Sequence, residues 1–211
     1  MEHQMSQSIE GMERHLKLRQ GFFKDLLADD DWSFVIKLSS LFEAACTQAL
    51  VKRLGKPELE EELGWLDMAN HRFGKVRLLE SLGAITKGQY DTLTELATLR
   101  NTFVHQVGHV NSTISEYLQS LSIQRRNEII KKFTPPVQGD IVIGGHKIEI
   151  KTFVNDNIKL AIWLACYDIL ACLHLDFTYS ELEHITNSYQ RINEHLKSLS
   201  VSFKSNIGKI K

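Results

Sequence analysis

An all-α helical bundle carrying one small β-hairpin is the architecture this sequence predicts, on three observations. Apolar residues recur at helical spacing through most of its 211 residues. Of its three prolines, Pro135 and Pro136 stand together and leave long uninterrupted stretches on either side. Near residues 140–150, IVIGGHKIEI alternates apolar and polar residues around a Gly-Gly pair able to make a tight turn. The paired prolines divide the chain into residues 1–133, a leading helix with a helical bundle, and residues 134–211, the hairpin and two C-terminal helices packed on the same core. Domain-size statistics favour one domain for a chain of this length.

The leading segment, from about Met5 to Leu27, has the spacing of an amphipathic helix. Asp29, Asp30 and Asp31 suit a helix N-terminus. The helix they open repeats apolar residues at Phe34, Leu38, Leu41, Phe42, Ala45 and Ala49 before Gly55 and Pro57 end it. A short connection containing Trp65 leads to a brief helix from Phe73 to Leu82, which Gly83 is placed to close in the left-handed conformation. Thr86 and Gln89 have capping-box spacing, so a helix starts there and runs to about Val107, where Gly108 weakens it. Thr113 and Glu116 repeat that spacing and open a helix lasting to about Phe133. Beyond the hairpin, helices are predicted from about Asn157 to Leu175 and from Tyr179 to Phe203, the second introduced by Thr178 and Glu181 at capping-box spacing.

A formal charge of -1 supplies no global field, so a nucleic-acid partner would need a local basic patch. The three cysteines, Cys46, Cys166 and Cys172, lie in apolar helical stretches, at spacings of neither a disulfide framework nor a zinc site. Reduced, buried thiols in a cytoplasmic protein are expected. The polar start MEHQMSQSIEGMERHLKLRQ has no apolar run after its charges and predicts no secretory signal. The longest apolar run, Ile158 to Phe177, is interrupted by Lys159, Asp168 and His174, each costly in hydrocarbon. It predicts a core helix, or one shared with a second subunit, and no membrane span.

The helix from Thr86 breaks its own pattern. On a wheel of about 100° per residue, Leu93, Leu96, Ala97, Phe103, Val104 and Val107 gather on one stripe with Arg100 near its centre. A guanidinium there must meet a carboxylate, a bound anion or a cleft between subunits, because burying it unpaired is costly. Asn101 and His105 are four residues apart on one face, flanked by Thr94 and Thr98. An amide at that spacing can hydrogen-bond an imidazole and fix its tautomer, making an oriented acid/base. Arg100 and His105 diverge by about 140°, yet the reach of arginine lets both flank one groove, widest if two such helices meet across a dimer axis. A plainer role stands beside this one: an arginine late in a helix commonly pairs with a neighbouring glutamate, and a histidine there favours the helix C-terminus.

The segment RNTFVH, preceded by TELATL, resembles the signature of the HEPN superfamily (higher eukaryotes and prokaryotes nucleotide-binding). Arg100 matches its arginine, Asn101 the favoured polar residue and His105 its histidine. The stretch from about Trp32 to His105, including FGKVRLLESLGAI, is similar to the mannitol operon repressor branch. The resemblance implies a homodimer with facing motif helices. In active members it implies a metal-independent endoribonuclease, a toxin or anti-phage defence effector with an RNA substrate and an antitoxin or regulatory protein partner. On that basis His105 is the acid/base, Arg100 the phosphate clamp and Asn101 the orienting group, and the product is a cyclic phosphate. The repressor branch implies instead a non-catalytic regulator or scaffold that holds a protein partner in the same groove.

Other features carry less. His105 and His109 have the spacing of two metal ligands on one helix, but no third ligand is evident and neither a metal nor a cofactor is expected. Glu43 is a candidate carboxylate for neutralising Arg100. Lys52, Arg53 and Lys56, and separately Arg125, Arg126, Lys131 and Lys132, form local basic clusters suited to RNA phosphates or simply to solvated helix ends. No glycine-rich phosphate loop, dinucleotide fingerprint or helix-turn-helix signature is present.

Overall fold

The first helix stops well before the sequence predicts. In the computed structural model, which describes the backbone of residues 2–134, 141–143 and 146–207, α1 spans Glu2–His15. Leu18 N donates to Glu13 O over 2.9 Å and Lys17 N to Arg14 O over 3.1 Å, the paired bonds of a left-handed helix closure, with Lys17 at φ 57°. Glycine ordinarily marks that position, so a lysine there leaves no signal and the predicted helix runs on to Leu27. The chain instead turns at Gly21 into α2, Phe22–Asp25, and a 3₁₀ turn over Leu26–Ala28. The Glu13 carboxylate is 1% exposed and accepts from the backbone N–H groups of Gly21 and Phe23, both at 2.8 Å. It thereby satisfies donors at the start of α2 and seats Phe23 in the core.

Helix α3, Asp31–Leu54, is the centre of the bundle. The Asp30 carboxylate caps it by accepting from Ser33 N at 2.9 Å, and hydrogen bonding with Ser33 holds Asp30 below the usual carboxylate range. Its buried residues include all six apolar positions expected of it, Phe34, Leu38, Leu41, Phe42, Ala45 and Ala49. Cys46 and Cys166 are buried and Cys172 is half-buried; burial pushes the Cys46 thiol up to about 12, so it stays protonated. Gly55 closes α3 at φ 62°, and Gly83 follows α5, Lys75–Ser81, at φ 72°. Both carry the same paired bonds as Lys17, from residues where the sequence announces them. Between them lie a 3₁₀ turn at Pro57–Leu59 and the short α4, Glu60–Gly64.

Helix α6, Lys87–His105, lies along α3, and Thr113 opens α7, Ile114–Ser120, through the expected capping box with Glu116. That helix does not last to Phe133. Leu121 is extended and Ser122 Oγ accepts from Arg125 N at 3.3 Å, starting α8, Ile123–Phe133. Apolar spacing continues across the break, so only the cap residue betrays it.

Pro135 and Pro136 lie outside the described residues, as does the Gly-Gly pair. Strands β1, Ile141–Ile143, and β2, His146–Ile148, form the expected antiparallel hairpin, with Ile141 opposite Ile148. Ile150, expected to end the hairpin, instead begins α9, Ile150–Asp156, which buries Phe153 and Val154. The two helices expected after it are one, α10, Ile158–Ile207. Thr178 caps nothing: its hydroxyl donates to His174 O at 2.9 Å, one turn back. Leu173, Phe177 and Ser180 are buried across that point and hold the backbone helical where capping-box spacing alone suggested a break. One buried cluster runs from Ile9 to Leu173, so α9 and the first half of α10 share the core of α1, α3 and α6. Asp31–Leu54 and Ile158–His195 are long and apolar enough to cross a membrane; in α3 that length serves this core, 67% of its apolar window being buried.

Gly11 lets α1 approach α10 closely, since a Cβ there would stand 2.3 Å from His174 Nε2. Among the described residues His174 Nδ1 has no hydrogen-bond partner, and burial, with Arg14 and His15 nearby, pushes the His174 pKa below the ordinary histidine value. The folded state therefore prefers the neutral ring, and the unfolded chain takes up the proton first as pH falls through about 6.5. This contribution to stability is full above about pH 7 and declines on acidification. His174→Gln is expected to flatten that decline, read as urea midpoints at about pH 7.5 and 5.5; an unchanged slope would assign it to other groups.

Candidate functional site

Helix α6 begins where its capping box puts it. Thr86 Oγ1 accepts from Gln89 N at 3.3 Å, and Gln89 Oε1 accepts from Thr86 N at 2.8 Å. The face it buries carries Thr92, Leu93, Glu95, Leu96, Leu99 and Phe103, and Trp32 Nε1 donates to Phe103 O at 3.1 Å. That face is turned by roughly 60° from the predicted stripe. Leu99 falls within it, Ala97 is only half-buried and Val104 is exposed, while the Val107 side chain lies outside the described residues. Arg100 accordingly sits at the rim of the buried face and not at its centre.

There Arg100 is half-buried beside a cleft of about 100 Å³ between α3 and α6, lined also by Ser39, Glu43, Asp67, Met68 and Asn101. Arg100 Nη1 donates to Asn101 Oδ1 at 3.1 Å, and among the described residues the guanidinium forms no ion pair. Glu43, expected as its counter-charge, stands 3.7 Å from Lys75 Nζ instead. Lys75 is 1% exposed and donates to Gly64 O at 3.0 Å, so the Glu43 charge serves a buried ammonium. Among the described residues the buried hydroxyls of Ser39 and Thr94 have no hydrogen-bond partner. A space of this size admits an inorganic anion or a few waters and is too small for a nucleotide, which would have to lie across the open flank of α6.

The amide of Asn101, exposed on that flank, accepts from Arg100 through its oxygen, and among the described residues it makes no hydrogen bond to His105, which its spacing suggested it would orient. His105 is the last residue of α6 and is exposed; Gln106 follows in extended conformation, φ −117° and ψ 96°. The helix thus ends short of Val107, and Val107–Asn111 forms a 3₁₀ turn. His105 and His109 therefore do not share an α-helical face, and the side chain of His109 lies outside the described residues. Among the described residues no group of three His, Cys, Asp or Glu side chains is placed to hold a metal.

Most of the basic clusters are engaged internally. Lys52 pairs with Glu181 at 3.0 Å, Arg53 with Asp176 at 3.0 Å and Lys56 with Glu58 at 3.5 Å. Arg125 and Lys132 both pair with Glu95, the latter at 2.7 Å, clamping α8 onto α6. Arg126 and Lys131 form no ion pair among the described residues. Glu95, 2% exposed, is the functional-looking charge that sequence reasoning missed. No sequence signal marked it: on the predicted stripe it falls on the far side of the helix, and it lies within the face that α6 buries. Around the cleft, the segment carrying Asp67 and Met68 is flanked by Trp65 and Phe73, 84% and 69% exposed.

Comparison of the chain with protein-family models, with curated proteins and with solved structures returned no match. What fold and site define is an all-α bundle with a small hairpin and an open helix flank bearing a guanidinium in no ion pair among the described residues, an amide that holds it and an exposed imidazole.

Proposed function

We propose that this protein is a metal-independent endoribonuclease of the HEPN type, acting in the cytoplasm as a toxin or anti-phage defence effector. The observation that carries the reading is Arg100, half-buried beside the α3–α6 cleft with Asn101 as its hydrogen-bond partner and, among the described residues, in no ion pair, with Glu43 and Asp67 also on the cleft lining. A guanidinium so placed is a fixed cation for a phosphate oxygen. His105, exposed at the end of the same helix, supplies an imidazole as the acid/base group. Cutting RNA without metal needs a base to take the ribose 2′-hydroxyl proton and an acid to protonate the departing 5′-oxygen as the phosphorus–oxygen bond breaks. The products are a 2′,3′-cyclic phosphate and a 5′-hydroxyl. Each chain brings one such imidazole, so a homodimer with facing α6 helices supplies both the acid and the base. Trp65 and Phe73 offer exposed faces on which unpaired bases can stack, which favours single-stranded RNA. An antitoxin or regulatory protein would act by covering this flank.

A second reading is a non-catalytic regulator or scaffold of the mannitol-repressor kind, using the same flank to hold a protein. It is favoured by His105, which Asn101 leaves unoriented. The deciding experiment incubates the purified protein with a set of single-stranded RNAs in EDTA and identifies the product ends. Cyclic phosphate termini support the nuclease, and intact RNA supports the regulator.

A further inference from the structure

The second half of α10 is built like one strand of a coiled coil without its mate. Every described side chain from Glu181 to His195 is exposed; contacts with the body include Glu181 with Lys52 and His184 Nε2 at 3.0 Å from Lys52 O, after which the stretch runs on as helix to Ile207. Its large apolar residues nevertheless fall on one line: Leu175, Leu182, Ile185, Tyr189 and Ile192 are each between 49% and 67% exposed. Leu175, Thr178, Leu182, Ile185, Tyr189 and Ile192 are spaced alternately by three and four residues, and the sequence continues that rhythm through Leu196, Leu199 and Phe203. This is a heptad with Leu175, Leu182, Tyr189, Leu196 and Phe203 at a and Thr178, Ile185, Ile192 and Leu199 at d, sustained for about four repeats. Periodicity of 3.5 serves a straight seam against another helix, whereas a globular body asks for a broader face.

We infer that α10 self-associates through this seam, its occupant being a further copy of the same chain. The flanking e and g positions between Glu181 and Ser202 are Glu181, Thr186, Ser188, Asn193, His195, Ser200 and Ser202. The one acidic residue among them, Glu181, is paired with Lys52 of its own chain, so identical strands meet with no like-charge clash. A helix that projects from the body with Ile, Thr, Ser and Asn throughout has little propensity to stand alone, and packing against a copy supplies what it lacks. A bilayer is a poor occupant because Glu183, Asn187, Gln190, Arg191 and Glu194 cover the opposite face of the helix. Leucine at a with isoleucine at d favours more than two strands when they run parallel, so a two-chain assembly would be antiparallel.

The seam is separate from α6 and does not rest on the ribonuclease reading. Sedimentation velocity of the full-length protein, at low and high micromolar concentration, is compared with Ile185→Glu and Ile192→Glu. Both positions are exposed, so the body of each variant should retain its thermal midpoint and serve as its own folding control. The expected result is an oligomeric wild type whose mass falls at least twofold in both variants. A monomeric wild type, or variants with wild-type mass, overturns the proposal, and RNA cleavage measured alongside reports on α6 independently.

Discussion

Arg100→Ala is expected to slow RNA cleavage in EDTA by about 10²–10³-fold, the usual cost of removing a fixed group that stabilises transition-state charge. His105→Ala should cost about 10²–10⁴-fold, the range for losing an acid/base. Neither residue belongs to the buried core, so urea midpoints should stay close to wild type. Asn101→Ala should act through Arg100, whose Nη1 it accepts from, and Arg100 would lose its fixed position. A rate loss for Asn101→Ala that vanishes in an Arg100→Ala background would establish that dependence. Mixing the His105→Ala protein with wild type tests the composite site, because a heterodimer with a single imidazole lacks either the acid or the base and activity should fall by more than the dilution of wild-type chains. Cleavage at the wild-type rate in either single variant would sink the proposed mechanism, and the flank would then be tested as a protein-binding surface.

Glu13→Ala is expected to be the most destabilising single substitution considered for this fold, at roughly 3–6 kcal/mol. The side chain is 1% exposed and its two carboxylate oxygens accept from Gly21 N and Phe23 N at 2.8 Å each. Hydrogen bonds to a charged group contribute about 1.5–3 kcal/mol apiece, and truncation removes the acceptor of both backbone donors. Against a typical total of about 5–15 kcal/mol, that loss is a large part of folding stability. Glu13→Gln keeps one oxygen acceptor and should lose about half as much. Urea titration followed by circular dichroism measures both; an alanine variant within about 1 kcal/mol of wild type would mean the turn is held by Phe23 packing alone.

Where this fold was legible, a residue type carried the signal in its own chemistry. Gly55 and Gly83 take the left-handed conformation that closes a helix, and Thr86 and Thr113 make the side-chain bonds their spacing announces. Where it was not, the deciding residue looked ordinary. Lys17 adopts a glycine conformation, Ser122 ends one helix and starts another within a continuous apolar rhythm, and Thr178 has a cap spacing that core packing overrides. The site divides the same way. Arg100, Asn101 and His105 were legible as a cluster on one helix, but their partners were not, because Glu43 faces Lys75 and Asn101 faces Arg100.

The sequence by itself determined the all-α class, the hairpin, the first turns of α3, α6, α7 and α10, and the helix that bears the unusual polar residues. Those are consequences of periodicity and capping, which act over a few residues and are complete in any short window. Only the tertiary structure decided that α10 is continuous, that Glu95 and Glu13 are buried anchors, and that Arg100 lies on the rim of its helix face and not at its centre. These depend on which neighbour fills the space around a side chain, and burial of that kind is set by contacts between residues distant in the chain.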